Sequence, residues 1–385
     1  MSGVWKMNIC YIVTIPGTIK SFFISQINFL ALNGFKVTII CSDAEELRDF
    51  FSDNVKLISV KIPRGINFKD SIKSVKELIK IFKKEHFDLV QYSTPNAAFY
   101  GALAAKWCNV KIRNYHLMGL RYLGAKGLFK VVLKTIEKIT CKFSTHIECV
   151  SHSNMELGIK EKLFSREKAT VVWKGSTGGV DLNRFDIEKR FLWRQQVRDE
   201  LNLTQEDFVF GFVGRITVDK GINEILDAFN DIKNAKLLIV GDKEGIDTLD
   251  QQLYLQSLNN KNIIYASAVS DIERYFASLD VLLLPSYREG FGNVVIEAAA
   301  LGTPAIVSNI PGPIDAVKRD ETALVIPVKN TQELKSAMQF FLDHPDVLEQ
   351  FSKNCRDYVE EAFASNKLNE KILERKRCLL KMDLE

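Results

Sequence analysis

The sequence predicts an α/β protein built from two doubly wound parallel-sheet domains in tandem. Short β-branched runs alternate with longer helical patterns almost from end to end, which is typical of parallel strands connected by helices. The alternation breaks once, at the glycine-rich run 175–179, and then starts again. The chain has 385 residues, a length that favours two domains because one hydrophobic core rarely serves so many.

Six strand candidates precede the glycine-rich run and six follow it. The first six are Met7–Ile15, Lys36–Cys41, Val55–Val60, Asp88–Tyr92, Val110–Tyr115 and Thr145–Val150. The second six, each followed by a helix candidate, are Phe208–Val213, Lys236–Val240, Asn262–Ala266, Asp280–Pro285, Pro304–Ser308 and Thr322–Ile326. We expect residues 1–175 to form the first domain and residues 191–365 the second, with residues 176–190 as the linker between them. Residues 366–385 are expected to form a helix that could cross back to the first domain. Such sheets bind ligands at the carboxyl ends of their strands, so the domains should face a common cleft.

Composition excludes several classes of protein. With 46% hydrophobic residues, 26% charged residues and nine prolines, the chain can bury real cores and is neither disordered nor collagen-like. The seven cysteines are scattered without a C-x-x-C pair, which indicates buried thiols in a reducing cytoplasm and no zinc site. The apolar run Asn8–Ile15 is interpreted as a first strand and not as a signal peptide. No run approaches the ~18 apolar residues of a spanning helix, so membrane contact is expected to be peripheral.

The charge is divided unequally along the chain. Residues 1–190 contain 30 basic and 17 acidic residues, a net charge of +13, whereas the remainder contains 22 and 31, a net charge of −9. A basic first half indicates an anionic surface or ligand there.

Two common nucleotide motifs are absent from the sequence. The first strand is followed by Pro16-Gly17-Thr18 and not by G-x-G-x-x-G, and no G-x-x-x-x-G-K-[ST] occurs. These absences argue against a dinucleotide dehydrogenase and a P-loop NTPase.

The most informative segment runs from the strand at 280–285 into the helix predicted at 294–301. Glycines before a helix N-terminus let backbone N–H groups approach a phosphate or diphosphate. Glu297, about one turn inside the helix, could accept the hydroxyls of a ribose, and Glu289 could reach a second polyol. Together they predict a sugar nucleotide; the alternative is a solvated loop glutamate and a helix-capping glutamate.

A second pair of candidates follows the strand Phe208–Val213. Arg215 comes directly after Gly214, and Lys220 precedes the helix at 222–230, so both cations should lie at the carboxyl edge of the sheet. Arg215 could bind phosphate oxygens in bidentate fashion, with Lys220 as a point charge. Alone they would be ordinary surface residues, but beside the glutamate loop they favour a diphosphate leaving group.

At these residues the chain resembles glycosyltransferase family 4. The motifs that carry the resemblance are Gly214-Arg215…Lys220-Gly221, Leu238-Ile239-Val240-Gly241-Asp242, Val269-Ser270-Asp271-Ile272 and Pro285-Ser286…Glu289-Gly290-Phe291-Gly292…Glu297-Ala298. Weaker matches extend through the first half, including Gly119-Leu120-Arg121, as in bacterial enzymes that build capsule, O-antigen or other lipid-linked glycans.

The resemblance implies a GT-B fold and retaining transfer of a hexose or N-acetylhexosamine from a nucleotide sugar, most often UDP-linked. The first domain would bind the acceptor, and the expected acceptor is a polyprenyl-diphosphate-linked glycan. By the same resemblance Glu289 would hold donor-sugar hydroxyls, Glu297 the ribose, and Arg215 and Lys220 the diphosphate.

 

The remaining donor-site assignments also come from the resemblance. Backbone groups of four residues that follow Gly290 would complete the diphosphate site: Phe291, Gly292, Asn293 and Val294. The main chain near Val269 would face the uracil, and Gly17 would approach the phosphates from the other domain. No D-x-D triplet occurs, so no divalent metal or other cofactor is expected, and no nucleic-acid partner is predicted.

One position departs from the family pattern. Many members have a histidine directly before the glycine that corresponds to Gly119, whereas this chain has Met118. His116 lies two residues earlier, on the same face of a strand, and is the candidate replacement. A structural histidine is the alternative.

Two other functions stay open at this point. A sugar-nucleotide epimerase shares the twin-domain architecture, and a degenerate partner subunit could bind a sugar nucleotide without turnover. The presence of Glu289, Glu297, Arg215 and Lys220 argues against the second.

A lysine-rich helix is predicted in the basic half. Lysines recur every four residues beside an apolar face, at Lys126, Lys130, Lys134, Lys138 and Lys142. Such a helix suits an anionic membrane surface, although an ordinary packed surface helix shows the same pattern. We therefore expect a cytoplasmic protein, peripheral at the inner face of the plasma membrane.

Overall fold

The computed structural model describes residues 7–63, 65 and 68–381. The chain forms two compact units. The first extends to Gly178 and includes the segment from Ser365 onward, and the second is Gly179–Ala364. The chain thus leaves the first unit inside the glycine-rich run, and residues 179–190 of the expected linker group with the second unit.

The first unit contains a seven-stranded sheet in the order β3-β2-β1-β4-β5-β6-β7, with every neighbouring pair parallel. Its strands are β1 Asn8–Ile12, β2 Lys36–Cys41, β3 Val55–Ser59, β4 Leu89–Tyr92, β5 Ile112–Leu117, β6 His146–Cys149 and β7 Ala169–Val171. Its helices before the crossover are α1 Pro16–Phe22, α2 Ile24–Leu32, α3 Phe68–Glu85, α4 Pro95–Trp107, α5 Gly127–Phe143 and α6 His152–Lys160. Short 3₁₀ segments lie at Ala44–Phe50, Arg121–Gly124 and Arg166–Lys168.

Strand β1 shows why this sheet is covered on both faces. Cys10 and Ile12 belong to one hydrophobic cluster, whereas Ile9, Tyr11 and Val13 belong to another. Since successive side chains of a strand point to opposite faces, each face of the sheet packs into its own core.

The second unit contains a six-stranded parallel sheet in the order β10-β9-β8-β11-β12-β13. Its strands are β8 Val209–Val213, β9 Lys236–Val240, β10 Ile263–Ala266, β11 Val281–Leu284, β12 Ala305–Ser308 and β13 Ala323–Ile326. Its helices are α7 Arg190–Glu200, α8 Ile222–Asn230, α9 Gln251–Leu258, α10 Ile272–Ser278, α11 Asn293–Ala300, α12 Thr331–Asp343 and α13 Pro345–Ala362. Short 3₁₀ segments lie at Ile187–Lys189, Val218–Lys220, Ile246–Thr248 and Pro313–Asp315.

The C-terminal helix α14, Ser365–Leu379, packs on the first unit through a buried ion pair. The Nζ atom of Lys376 is fully buried and donates to Oε1 of Gln91 at 2.5 Å and to Oε2 of Glu148 at 3.1 Å. These partners lie on β4 and β6, so one lysine joins the helix to two strands of the sheet. The Lys376 and His116 interactions hold the pKa of Glu148 well below its usual value, although burial opposes ionisation.

Two expectations about secondary structure are wrong. The strand β7 was not predicted, because it is only three residues long and none of its side chains is fully buried. The strand β12 is followed by the 3₁₀ segment Pro313–Asp315 where a helix was expected. Pro311 and Pro313 lack the backbone N–H groups that a continuing helix needs.

Two further expectations concern the burial of the cysteines and the presence of membrane-spanning helices. Five cysteines are buried, but Cys108 is half-buried and Cys378 is exposed. Across the residues that the structure describes, no helix combines the length and the hydrophobicity needed to span a membrane.

Candidate functional site

The candidate site of the second unit lies where the order of its sheet reverses. Strands β8 and β11 are neighbours, while β9 and β12 extend the sheet in opposite directions from them. The loops that follow β8 and β11 carry Arg215, Lys220 and Glu289. Ligands of doubly wound sheets bind at this switch point, beyond the carboxyl ends of the strands.

The two loops are in close backbone contact at Gly221. This residue has φ 77°, a conformation that favours glycine. A Cβ atom at this position would lie 2.3 Å from the carbonyl oxygen of Pro285, at the end of β11. Only glycine therefore lets the loop after β8 approach the loop after β11 so closely.

Two ion pairs join the same loops. The Nζ atom of Lys220 donates to Oε1 of Glu289 at 2.5 Å, and the Nη2 atom of Arg288 donates to Oδ2 of Asp219 at 2.8 Å. The dipeptides Asp219-Lys220 and Arg288-Glu289 thus pair crosswise, each acid with the base of the other loop. The hydroxyl of Ser286 also donates to Oε1 of Glu289, at 2.9 Å.

The electrostatics of these loops keep Asp219 ionised. Burial raises the pKa of its carboxyl, but a hydrogen bond from the Thr217 hydroxyl and the neighbouring cations outweigh burial, so the pKa lies below its ordinary value. Arg215 contributes to this lowering, and its residue is exposed. Arg215 is therefore near the ion pairs and accessible to an anionic ligand.

The helix α11 begins directly after the glutamate loop. Gly292 precedes it with φ 95°, again a conformation that favours glycine. The ring of Phe291 is buried against Phe363, with ring centroids 5.4 Å apart, so this residue offers only its backbone to a ligand. Asn293 and Val294 form the first turn of the helix, at the end where the helix dipole places a partial positive charge. This end of the helix is suited to an anion.

Glu297 lies one turn into α11. Burial raises the pKa of its carboxyl to about 7, the positive charge of Arg184 opposes that rise, and the negative charge of Glu273 adds to it. The ionisation of this carboxyl is therefore sensitive to pH near neutrality.

The remaining predicted site residues are divided between the two units. Val269 follows β10 and is half-buried, in the second unit. Gly17 is in α1 of the first unit, where it is exposed. Gly214 directly follows β8, and its N–H donates to the carbonyl of Val240 at 3.0 Å. Gly290 lies on the glutamate loop.

His116 is part of the buried network of the first unit. Only 4% of the residue is exposed, and its Nδ1 atom lies 3.3 Å from Oε1 of Glu148. Its ring packs edge to face with Phe23, with centroids 5.5 Å apart. This environment matches the structural alternative, and a catalytic role for His116 stays a prediction.

Sequence reasoning missed three charged residues around the site: Asp219, Arg288 and Arg184. The first two precede Lys220 and Glu289 and have the opposite charge to them, a signal visible in the sequence. Arg184 lies far from the site motifs in sequence and offered no such signal. Within the described part of the chain, no group of three or more His, Cys, Asp or Glu side chains is placed to hold a metal ion.

Comparison with known proteins identifies the family. The model described as Glycosyltransferase Family 4 matches residues 22–182, and the model of Glycosyl transferases group 1 matches residues 194–358. The capsular polysaccharide biosynthesis glycosyltransferase CapM of Staphylococcus aureus is 32% identical over 364 residues, which cover 94% of each chain. The UDP-Gal:alpha-D-GlcNAc-diphosphoundecaprenol alpha-1,3-galactosyltransferase of Escherichia coli is 27% identical over 379 residues, 95% of this chain and 96% of that one.

Solved structures with low sequence identity show the same fold. Sucrose-phosphate synthase from Thermosynechococcus elongatus has a TM-score of 0.81 at 20% identity, covering 97% of this chain and 99% of that one. Anabaena HepE in complex with UDP-glucose has a TM-score of 0.79 at 17% identity, covering 97% and 100%. The two parallel-sheet units and these matches establish an α/β protein of the GT-B fold, and the chain is a glycosyltransferase that belongs to family 4.

Proposed function

We propose that this glycosyltransferase transfers a hexose or N-acetylhexosamine, with retention of configuration, from a UDP-sugar to a polyprenyl-diphosphate-linked glycan during synthesis of a bacterial surface polysaccharide. The observation that carries the proposal is the Lys220–Glu289 ion pair beside the start of α11. Two relatives support the proposal: the name of the Escherichia coli enzyme includes a lipid-diphosphate acceptor, and the name of CapM includes capsular polysaccharide biosynthesis.

The donor would bind to both members of this pair. A lysine ammonium has three donor hydrogens and gives one to Glu289, so others are available for diphosphate oxygens. The Glu289 carboxylate would accept hydroxyls of the donor sugar. Arg215 and the first N–H groups of α11 add positive potential for the diphosphate, and Glu297 would accept the ribose hydroxyls.

Transfer would follow a front-face course. The bond between the anomeric carbon and the leaving phosphate oxygen breaks, and the departing oxygen gains negative charge that Arg215 and Lys220 stabilise. The acceptor oxygen bonds to the anomeric carbon on the same face and gives its proton to that phosphate oxygen. The products are the glycosylated acceptor and UDP, and configuration is retained.

The acceptor lipid would bring the first unit to the membrane, and α5 provides a suitable surface. Its first turns expose four apolar side chains: Leu128, Phe129, Val131 and Val132. The apolar face predicted for this helix is therefore partly buried and partly exposed, since Leu133 is buried whereas Leu128 is 79% exposed. Lys126 and Lys130 are exposed beside these side chains, but Lys134 is paired with Glu161. Exposed apolar and basic residues together suit an anionic lipid surface.

The test combines donor binding with product analysis. UDP-, GDP- and dTDP-sugars are assayed for binding, and each bound donor is then offered with and without polyprenyl-diphosphate-linked acceptors. We expect a UDP-sugar to bind and to give an acceptor-dependent product whose new linkage, by NMR, keeps the α configuration of an α-linked donor. A product with inverted configuration, or a donor that is epimerised without acceptor, would contradict the proposal.

A further inference from the structure

Arg184 lies in a turn of the second unit that is firmly anchored. The N–H of Phe185 donates to the carbonyl of Asp181 at 2.8 Å, and the N–H of Asn183 donates to Oδ1 of Asp181 at 3.0 Å. The ring of Phe185 is buried, with its centroid 6.3 Å from that of Phe276 in α10. The backbone at Arg184 is therefore fixed next to α10.

The Arg184 guanidinium holds both ends of the turn that leads into α10. Its Nε atom donates to Oε2 of Glu273 at 2.9 Å, and its Nη2 atom lies 2.8 Å from the same oxygen and donates to the carbonyl of Ser270 at 2.8 Å. Ser270 follows Val269, whose main chain is expected to face the nucleobase. An arginine fork is suited to this task because its donors keep a fixed geometry.

The charges of Arg184 and Glu273 also affect the ionisation of Glu297. The charge of Arg184 lowers the pKa of the Glu297 carboxyl, and the charge of Glu273 raises it. The helix α13 also packs against α11, but its Arg356 is bonded to the carbonyl of Ala300 and to Glu360. Without Arg184, Glu273 and Glu297 would face each other with less compensating charge.

We infer that Arg184 is a positioning residue for the nucleoside of the donor. Its guanidinium holds the Ser270 carbonyl and the Glu273 carboxylate in one arrangement near Glu297. The inference rests on the proposed function, because it takes Glu297 as the acceptor of the ribose hydroxyls. Arg184 does not need to touch the ligand. It fixes the base-facing turn and favours the ionised form of Glu297, which can accept two hydroxyl hydrogen bonds.

The test measures UDP binding by calorimetry between pH 5.5 and 8.5. In the wild type, affinity should fall as the pH drops through about 7, since Glu297 must then lose a proton to bind. In Arg184→Ala, the pKa of Glu297 is higher, so the fall should begin at higher pH and binding at pH 7 should be roughly 10-fold weaker. Arg184→Lys should keep the wild-type pH midpoint and lose part of the affinity. Pyrophosphate, which lacks a ribose, should bind the wild type and Arg184→Ala equally.

Arg274→Ala is the matched control. Arg274 lies in α10, like Glu273, and pairs with Asp271 and Glu200 at 2.9 and 2.6 Å. Its loss therefore loosens the same helix without removing a charge that acts on Glu297. It should keep the wild-type pH midpoint. An unchanged midpoint in folded Arg184→Ala, or an equal loss of pyrophosphate binding, would overturn the inference. A wild type that binds pyrophosphate but no nucleoside diphosphate would refute the proposed donor site itself.

Discussion

Lys220 and Glu289, 69 residues apart, form an ion pair at 2.5 Å between the loops that follow two adjacent strands. The proposed function assigns the lysine to the donor diphosphate and the glutamate to the donor sugar. Because the two side chains are hydrogen-bonded to each other, each one sets the position of the other. They should behave as one unit when the donor binds.

Removing either member should therefore lower turnover strongly. Loss of one well-placed electrostatic group typically costs ~10²–10³ in rate, so Lys220→Ala and Glu289→Ala should each reduce kcat by about that factor. Because they are coupled, the double variant should lose less than the product of the two factors. Glu297→Ala should mainly raise KM for the donor. The measurements are steady-state kinetics and thermal unfolding of each variant.

Lys335→Ala is the control for these variants, since Lys335 forms a surface ion pair with Asp231 at 2.7 Å in the same unit. It should leave kcat within about twofold. A folded Glu289→Ala enzyme with wild-type kinetics would show that the site is assigned to the wrong loop.

The sequence predicts the position of the site better than its internal contacts. Glu289 and Lys220 could be placed because each follows a recognisable strand, and parallel strands end at one edge of a sheet. Their mutual contact depends on the close approach at Gly221, which no local pattern encodes. Arg184 acts across 89 residues on Glu273, so spacing along the chain gave no indication of it. The length of β7 likewise left too little pattern to predict a strand.

Activity should persist when divalent metals are removed. Arg215 and Lys220 can neutralise the leaving diphosphate without an ion, provided that both reach it as proposed. Incubation with EDTA should leave most of the wild-type rate, measured by UDP release. Loss of activity that Mg²⁺ or Mn²⁺ restores would mean that these two cations are insufficient.

The buried Lys376–Glu148 pair should matter for stability and not for chemistry. Lys376→Met would leave the Glu148 carboxylate buried with one cation fewer, and breaking a buried pair in this way typically costs about 3–5 kcal/mol. Adding Glu148→Gln should recover part of the loss, because the unpaired charge is then removed. Urea unfolding of both variants measures this.

The comparison for that experiment is Lys371→Met on the same helix. Lys371 pairs with Glu374 at the surface, at 3.0 Å, so its loss should change stability by less than about 1 kcal/mol. Equal urea midpoints for Lys376→Met and Lys371→Met would show that the buried pair does not stabilise the docking of α14.

Membrane attachment through α5 should depend on both its charges and its exposed apolar side chains. Lys126, Lys130, Lys138 and Lys142 are exposed, whereas Lys134 is engaged by Glu161 and lies 5.7 Å from the centre of the Tyr122 ring. Reversal of Lys126, Lys130 and Lys138 to Glu therefore tests the exposed charges without breaking the pair between Lys134 and Glu161. At about 1 kcal/mol per basic residue near an anionic leaflet, it should weaken binding to anionic vesicles roughly 100-fold.

The apolar contribution is tested separately, because charge attraction is screened by salt whereas burial of apolar surface is not. Leu128→Asn with Phe129→Asn should reduce vesicle co-sedimentation at high salt, while the triple charge variant should differ from the wild type mainly at low salt. Reversal of three exposed lysines of the second unit, Lys233, Lys261 and Lys353, is the matched control and should bind vesicles like the wild type. Donor binding should persist in all three variants. If neutral and anionic vesicles bind the wild type equally, or if the α5 and control reversals have the same effect, α5 is not the surface that meets the membrane.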